Sequence, residues 1–193
     1  YIKSIYKGIV ISNDRHLGFE LDIYLPDEKI AIEYNGVYWH SDEFKDKNYH
    51  YNKTKICSDN GIKLIHIWED YFLNKRNIVL SRISNLLGNS KRIYGRKCRV
   101  SYINNDEYRK FIEDNHLQGY AVSKYRIGIY YNDTLYGVMS FGGLRKSLGQ
   151  KSEDGTYELL RFCNKNNYTI IGGASKMLGF FIKSVCPNKI ISY

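Results

Sequence analysis

The sequence predicts an α/β protein in two parts. Two runs with the alternating pattern of strands, residues 19–25 and 30–35, precede a helical stretch and a third strand-like run. A second series of strands and helices follows in the other half. The halves also differ in charge, since residues 1–90 hold 12 basic and 12 acidic residues whereas residues 91–193 hold 17 and 8. We therefore expect two units that meet near residues 91–99.

Length and composition are those of a globular protein. The 193 residues suffice for one large or two small cores, and 43% of them are hydrophobic. No apolar run is long enough to span a membrane, so we expect no membrane partner and a cytoplasmic protein. The four cysteines lie far apart, which favours reduced thiols over a disulfide framework or a zinc site. Because the chain begins at Tyr1 and ends in a strand-like run, we expect it to be a fragment.

The first two strands bring acidic residues together. With the strands paired symmetrically about the turn at residues 26–29, Asp22 lies opposite Glu33. Glu20 then lies opposite Asn35, and the other face of both strands is apolar. Carboxylates opposed across a ladder are about 4.5–5.5 Å apart at Cβ, where like charges destabilise a sheet. A bound divalent cation would remove that cost. A solvated acidic face is the alternative interpretation.

Four ordered motifs within residues 14–88 carry a family resemblance. They are Leu21-Asp22-Ile23-Tyr24, Ile30-Ala31-Ile32-Glu33-Tyr34-Asn35-Gly36, Tyr38-Trp39-His40 and the run from Gly61 to Glu69. This set resembles the very-short-patch-repair-like branch of the PD-(D/E)XK nuclease superfamily, and especially the phage-encoded, homing-type endonucleases of that branch. The resemblance implies a three-layer core with a mixed sheet, hydrolysis of double-stranded DNA, and Mg²⁺ or Mn²⁺ as cofactor. A phage-encoded enzyme would act in the cytoplasm of its bacterial host, and a homodimer would let it cut both strands.

The resemblance also implies roles for individual residues. Asp22 would be the principal metal ligand, with Glu33 as the acid of the second strand. The Tyr34 backbone carbonyl would complete the metal shell, and Glu20 would assist. His40 would hold or protonate a phosphate oxygen, or activate water, as a proton carrier near neutral pH.

One position departs from the family pattern. The superfamily lysine two residues after the second acid is Asn35 here, and an amide cannot act as a base or carry charge. We therefore expect His40 or a metal-bound water to take over that role in a one-metal site. His50 and Lys53 lie almost one helical turn apart on the following helix, where they could reach the same phosphate. A solvated helix face is the alternative for this pair, and mid-strand His66 is predicted to be a packing residue.

The densest positive charge lies where the two halves meet. Five cations with a tyrosine between them occur in nine residues: Lys91, Arg92, Arg96, Lys97 and Arg99. Such a segment suits a nucleic-acid backbone, because counterion release supplies affinity that falls with salt. A solvated linker or a protein-binding tail is the alternative. With nuclease-like motifs beside it, we interpret the segment as a DNA-binding linker, residues 91–99, between domains at 1–90 and 100–193.

The second half has its own series of elements. Asn104 begins a predicted helix with a capping-box pattern that reaches Asn115. Two strands, residues 125–131 and 134–141, meet at an Asn-Asp turn. Another strand spans residues 157–163, and an apolar helix follows. This order predicts a smaller α+β domain.

The central hairpin, the run Glu158-Leu159-Leu160-Arg161 and the run from Ile171 to Ser175 resemble a GNAT-type acyltransferase domain. The likeness covers about residues 98–193 and is greatest to the GNAT-like modules attached to phage endonucleases. In that family Gly172, Gly173 and Ala174 would cradle the pyrophosphate of acyl-CoA at a helix N-terminus. Close helix packing or a contact with a phosphate backbone would equally explain two glycines there.

The loop lacks the usual basic and glycine pattern, and the final strands of the GNAT fold are missing. We therefore expect an incomplete GNAT-like domain with an accessory or DNA-binding role. An acyl-CoA-dependent transferase that modifies DNA or protein is the alternative function. A DNA-binding protein with a decayed nuclease site is the third.

Overall fold

The computed structural model describes residues 1–36, 48–144 and 153–192. The chain divides into two units, Tyr1–Leu87 and Gly88–Tyr193, and each combines helices with strands. The predicted mixed α/β class is therefore confirmed. All four cysteines are free thiols. Within the described residues, no helix is both long enough and apolar enough to cross a membrane.

The described part of the first unit forms one mixed sheet with helices. Its elements in chain order are α1 (Ile2–Ile5), β1 (Ile11–Asp14), β2 (Leu21–Leu25), β3 (Ile30–Asn35), α2 (Tyr49–Asp59), β4 (Lys63–Trp68), α3 (Glu69–Asn74) and α4 (Arg76–Leu86). The sheet order is β1-β2-β3-β4. The first three strands are antiparallel, and β4 runs parallel to β3 because the connection through α2 returns the chain to the same edge.

The predicted register of the first hairpin is confirmed. Leu25 pairs with Ile30 and Ile23 pairs with Ile32 across the turn. Lys29 in that turn has a φ of 52°, in the left-handed region. This register therefore brings Asp22 of β2 alongside the part of β3 that carries Glu33.

The part of the acidic face that lies on β3 is buried. Glu33 is 8% exposed and Asn35 is fully buried, because α2 covers that face of β3. Cys57 of α2 belongs to the same buried apolar cluster as Leu21 and Ala31. β3 is therefore buried except at Tyr34, which is 43% exposed, and the alternative of a solvated face on an edge hairpin is wrong for Glu33 and Asn35.

The second unit is built on a five-stranded sheet and a two-stranded parallel pair. Its elements are β5 (Lys91–Tyr94), a 3₁₀ turn (Gly95–Lys97), β6 (Arg99–Tyr102), α5 (Asn105–Asn115), β7 (Tyr125–Tyr131), β8 (Thr134–Gly142), β9 (Thr156–Asn164), β10 (Tyr168–Ile171), α6 (Gly173–Val185) and β11 (Lys189–Ile191). The larger sheet has the order β11-β9-β8-β7-β6, and β5 pairs with β10.

The two long helices of this unit pack on opposite faces of the larger sheet. On one face, Met177 and Phe181 of α6 are buried against Ile127, Met139 and Phe141, and the Phe141 and Phe181 rings stack with centroids 3.7 Å apart. On the other face, α5 contributes a second cluster, formed by Tyr108, Phe111 and Ile112 with Ile103 and Val138. Each helix thus buries an apolar stripe, and the strands between the two helices are covered on both faces of the sheet.

Local sequence signals in this unit behave as predicted. The Asn104 side chain accepts a hydrogen bond of 2.8 Å from the Glu107 backbone N–H and so caps α5. Asn132 and Asp133 have φ values of 45° and 57°, which is the left-handed pair that a tight two-residue hairpin requires. The predicted cap at Asn104 and the hairpin turn are therefore both confirmed, whereas the Glu107 carboxylate accepts from the Tyr130 hydroxyl.

Residues 91–99 do not form a linker. Lys91–Tyr94 is a strand that pairs in parallel with β10, with Lys91 opposite Tyr168 and Tyr94 opposite Ile171. The 3₁₀ turn and β6 follow directly, and both belong to the second unit. The boundary between the units therefore lies at Leu87–Gly88, because the basic segment is held by strand pairing that its own sequence pattern does not reveal.

Gly95 allows the closest backbone approach in this region. A Cβ at this position would lie 2.9 Å from the Ile171 carbonyl oxygen and 3.2 Å from the Gly173 nitrogen. Lys176 of α6 adds two hydrogen bonds, since its ammonium donates to the Gly95 carbonyl at 2.9 Å and to the Cys98 carbonyl. The turn after β5 is therefore packed directly against the start of α6.

We expect Gly95→Ala to destabilise the protein by about 1–3 kcal/mol, because backbone atoms cannot move aside as a flexible side chain can. Gly179→Ala in α6 is the matched control, since a Cβ there meets no atom within 4 Å. It should gain about 0.5–1 kcal/mol from helix propensity. Urea unfolding of both variants measures the difference. Equal stability of the two would contradict the close approach.

Candidate active site

A buried ion pair connects α2 to the central strand of the first sheet. Lys53 Nζ lies 2.6 Å from Glu33 Oε1, and Lys53 is only 4% exposed. The same ammonium donates to the Glu20 carbonyl at 2.5 Å. The ring of Phe19 lies 5.3 Å below it, measured to the centroid. Lys53 therefore does not lie on a solvated helix face, and it brings a positive charge to the acid of β3.

Asp22 is held on the neighbouring strand by a backbone hydrogen bond. Its Oδ2 accepts from the Tyr34 N–H at 2.7 Å, one residue beyond Glu33. The paired register of β2 and β3 ends at Ile23, and this contact joins the two strands beyond that point. A carboxylate that accepts a backbone N–H has a restricted orientation, so Asp22 is fixed close to the strand that carries Glu33.

Glu20 has a different environment. Its carboxylate pairs with the guanidinium of Arg15, with Nε at 3.1 Å, on an exposed part of the unit. Its backbone carbonyl, rather than its carboxylate, meets Lys53. The predicted supporting role of the Glu20 side chain therefore has no described contact with Glu33, whereas its main chain helps to place Lys53.

His66 is a polar member of this region that the sequence pattern did not single out. It lies on β4 directly opposite Glu33 in the parallel register. Its Nδ1 lies 3.0 Å from Asn35 Nδ2, and its Nε2 lies 3.0 Å from Thr54 Oγ1. Thr54 Oγ1 in turn donates to the His50 carbonyl at 2.7 Å. The predicted packing role is therefore accompanied by a polar one.

This hydrogen-bond chain fixes the orientation of the His66 ring. With the Asn35 amide donating to Nδ1, the ring proton sits on Nε2 and is donated to Thr54. The His50 ring packs edge-on against His66 at 5.4 Å and against Trp68 at 5.3 Å between centroids. Asn35, which cannot carry charge, therefore orients a histidine beside the acidic strand. Only the parallel pairing of β3 with β4 would have revealed this from sequence.

The donor set can be tested against a divalent metal. The described residues contain no group of three His, Cys, Asp or Glu side chains that could hold an ion together. Mg²⁺ is commonly held by only one or two carboxylates, with water and substrate phosphate in the other positions. Asp22 and Glu33, on adjacent strands, are the two carboxylates here that could serve such an ion, and one oxygen of Glu33 is engaged by Lys53. His40 lies outside the described residues, together with Tyr38 and Trp39.

The predicted DNA-binding cations lie on the surface of the second unit. All five are exposed: Lys91, Arg92, Arg96, Lys97 and Arg99. Arg96 lies over the ring of Tyr94 at 5.3 Å, and Arg99 lies over Tyr130 at 4.7 Å. Arg99 also lies 3.7 Å from the exposed Asp133. Folding therefore presents these cations on β5, the 3₁₀ turn and β6 rather than on a loose tether.

The start of α6 shows why its glycines are needed. Gly172 is the N-cap with a φ of 73°, and a Cβ on Gly173 would lie 2.7 Å from the Ile170 side chain. Ala174 follows in the first turn. Lys176, the cation of this turn, is engaged by the Gly95 and Cys98 carbonyls. These contacts correspond to close helix packing, one of the two alternatives to an acyl-CoA cradle.

Comparison with known proteins does not assign this chain to a family. No protein-family model matches the chain, and no curated protein matches it at a significant level. Among solved structures, a ribosomal-protein-alanine N-acetyltransferase from Brucella melitensis biovar Abortus 2308 matches with 10% identity, over 50% of this chain and 79% of that chain. The TM-score of 0.34 is too low to show a common fold.

We expect Lys53→Met to destabilise the first unit by about 3–5 kcal/mol, because it leaves the buried Glu33 carboxylate without its counter-ion. The double variant Glu33→Gln/Lys53→Met should lose less than the sum of the single losses. Arg15→Gln, which breaks the exposed pair with Glu20, is the control and should cost about 0–1 kcal/mol. Chemical unfolding of the wild type, Lys53→Met, Glu33→Gln and the double variant gives the coupling, and Arg15→Gln is unfolded beside them. If Lys53→Met costs no more than Arg15→Gln, the buried pair is not formed.

Proposed function

We propose that the first unit is a metal-dependent DNA endonuclease that hydrolyses phosphodiester bonds, of the phage homing type that its motifs resemble. The buried ammonium of Lys53 against Glu33, beside Asp22, is the observation that supports this most. Asn35 occupies the position of the superfamily lysine. Lys53 supplies from α2 the positive charge that the amide lacks.

Each residue has a chemical task in this proposal. Asp22 and Glu33 would hold Mg²⁺ or Mn²⁺, with the Tyr34 carbonyl as a further oxygen ligand. The metal, when bound, polarises a phosphoryl oxygen and lowers the pKa of a water molecule. Lys53 balances the charge of Glu33 in a buried position, where two uncompensated carboxylates would repel each other. Asn35 and Thr54 orient His66 beside Glu33.

The second unit would hold the DNA. Its exposed cations on residues 91–99 supply phosphate contacts that do not depend on base sequence. The GNAT-like resemblance then describes an accessory domain, and a homodimer would bring two such sites to the two strands of a duplex. None of the described contacts at the start of α6 favours acyl transfer, so we keep hydrolysis as the proposed chemistry.

Cleavage of supercoiled plasmid with Mg²⁺, Mn²⁺ or EDTA tests the proposal. We expect metal-dependent nicking, and we expect Asp22→Ala and Glu33→Gln to lower its rate by about 100-fold or more, because each removes a carboxylate that would hold the metal. Glu28→Gln, which neutralises an exposed acid in the turn before β3, should cut normally. Circular dichroism of every variant should show that it is folded.

Two outcomes would count against hydrolysis. Salt-sensitive binding of DNA with no cleavage by any metal would indicate a decayed site. Nicking that survives Asp22→Ala would place the chemistry elsewhere.

The DNA-binding part makes a separate prediction. Arg96→Ala and Lys97→Ala should each weaken binding to all duplexes alike and reduce the slope of log affinity against log salt by about 1, since each removes one phosphate contact. Lys110→Ala on the exposed side of α5 is the control, with the same charge change. Fluorescence anisotropy with a labelled duplex at several salt concentrations measures the slopes. Unchanged slopes for the first two variants would remove residues 96 and 97 from the interface.

A further inference from the structure

Two strands from distant parts of the second unit form a small parallel ribbon. β5 and β10 pair in register, with Ile93 opposite Ile170 and Tyr94 opposite Ile171. Ile170 is buried in the core cluster of the unit, and Ile93 packs against the same cluster. Because successive residues of a strand point to opposite faces, Tyr94 and Ile171 lie together on the outer face of the ribbon.

This outer face exposes two large apolar side chains next to each other. Tyr94 is 51% exposed and Ile171 is 42% exposed. Single exposed apolar side chains are ordinary on a protein surface, but two that are paired directly across strands form one continuous contact surface. About half of the surface of Tyr94 is therefore open to a partner, with an aliphatic neighbour beside it.

Arginines lie beside the two apolar side chains. Arg92 is exposed and lies two residues before Tyr94 on β5, and therefore on the same face. The Arg96 guanidinium lies 5.3 Å from the centroid of the Tyr94 ring, and Arg96 and Lys97 are both exposed. A guanidinium group can hold a phosphate through its fork of N–H donors while it remains stacked on an aromatic ring.

Both segments that form the ribbon lack negative charge. Residues 71–105 contain eight basic residues and no aspartate or glutamate. Residues 159–193 contain five basic residues and again no acidic one. The cations beside Tyr94 therefore have no acidic neighbour along either strand, and the ribbon suits a polyanion as its partner.

The backbone that carries Tyr94 is held by close packing. The next residue, Gly95, lies so near the Ile171 carbonyl oxygen that a Cβ would come within 2.9 Å of it. The Gly95 carbonyl also accepts a hydrogen bond of 2.9 Å from Lys176. An aromatic side chain on a fixed backbone loses little conformational freedom when a flat partner stacks on it, so less of the binding energy is spent on ordering.

We propose that the outer face of this ribbon, with Tyr94 and Ile171 between Arg92 and Arg96, binds an unpaired strand of nucleic acid. In a duplex the bases are stacked on one another, and a protein surface meets mainly phosphates and sugars. An unpaired strand also offers the flat faces of its bases, which stack on aromatic side chains while cations hold the backbone. The inference rests on the proposed DNA-binding role of the second unit, and it names the form of nucleic acid that this face recognises.

Fluorescence anisotropy with the full chain in EDTA tests the inference. The probes are a labelled single strand of about 12 nucleotides and a duplex of the same sequence, at equal salt. Tyr94→Ala should weaken binding of the single strand by about 5- to 100-fold, which corresponds to the loss of one stacked base. It should change binding of the duplex by less than about twofold, because it removes no phosphate contact. Tyr94→Phe should bind both probes as the wild type does, since it keeps the ring.

Two further variants separate stacking from charge. Tyr1→Ala is the matched control, because Tyr1 is 52% exposed but belongs to the first unit, and it should leave both affinities unchanged. Arg92→Gln should weaken binding of both probes and reduce the slope of log affinity against log salt by about 1. The same oligonucleotide made as RNA shows which nucleic acid supplies the unpaired bases.

The outcomes distinguish this inference from the proposed function. Salt-sensitive binding of both probes that Tyr94→Ala leaves unchanged, or lowers equally for the two, would overturn the stacking role and retain DNA binding. The absence of salt-sensitive binding to either probe would overturn both. Binding to vesicles that contain anionic lipid, without binding to either probe, would make the ribbon a membrane contact instead.

Discussion

The first unit depends on the ion pair between Lys53 and Glu33. A carboxylate on the central strand of a covered sheet is costly to bury, and the ammonium that neutralises it comes from the helix that covers it. The same ammonium reaches the Glu20 carbonyl, so three chain segments converge on one charged group. The packing of α2 on the sheet therefore depends on the ion pair between Lys53 and Glu33. Any metal chemistry at this face has to be compatible with that ion pair.

Asn35 takes part in a second set of polar contacts in this region. The amide cannot carry charge, but it hydrogen-bonds to His66 on the neighbouring parallel strand. His66 is tied in turn to Thr54 on α2, the residue next to Lys53. The cation of this region is thus supplied by the helix, whereas position 35 on the strand orients an imidazole.

The second unit depends on a different constraint, the close approach of two backbone segments. The turn at Gly95 packs against the start of α6, and Lys176 donates across the same contact. This packing holds the basic segment in a folded surface, so its cations are displayed at fixed positions rather than carried on a flexible chain.

The sequence by itself determined the local features of this protein. Strand alternation and turn chemistry set the Leu25–Ile30 register, the left-handed hairpin residues after Tyr131 and the cap at Asn104, because these depend on neighbours within a few residues. Only the tertiary structure decided the partner of Lys53 and the pairing of β5 with β10. Each of these joins segments at least 20 residues apart, and no local period encodes which distant segment will cover a strand or extend a sheet.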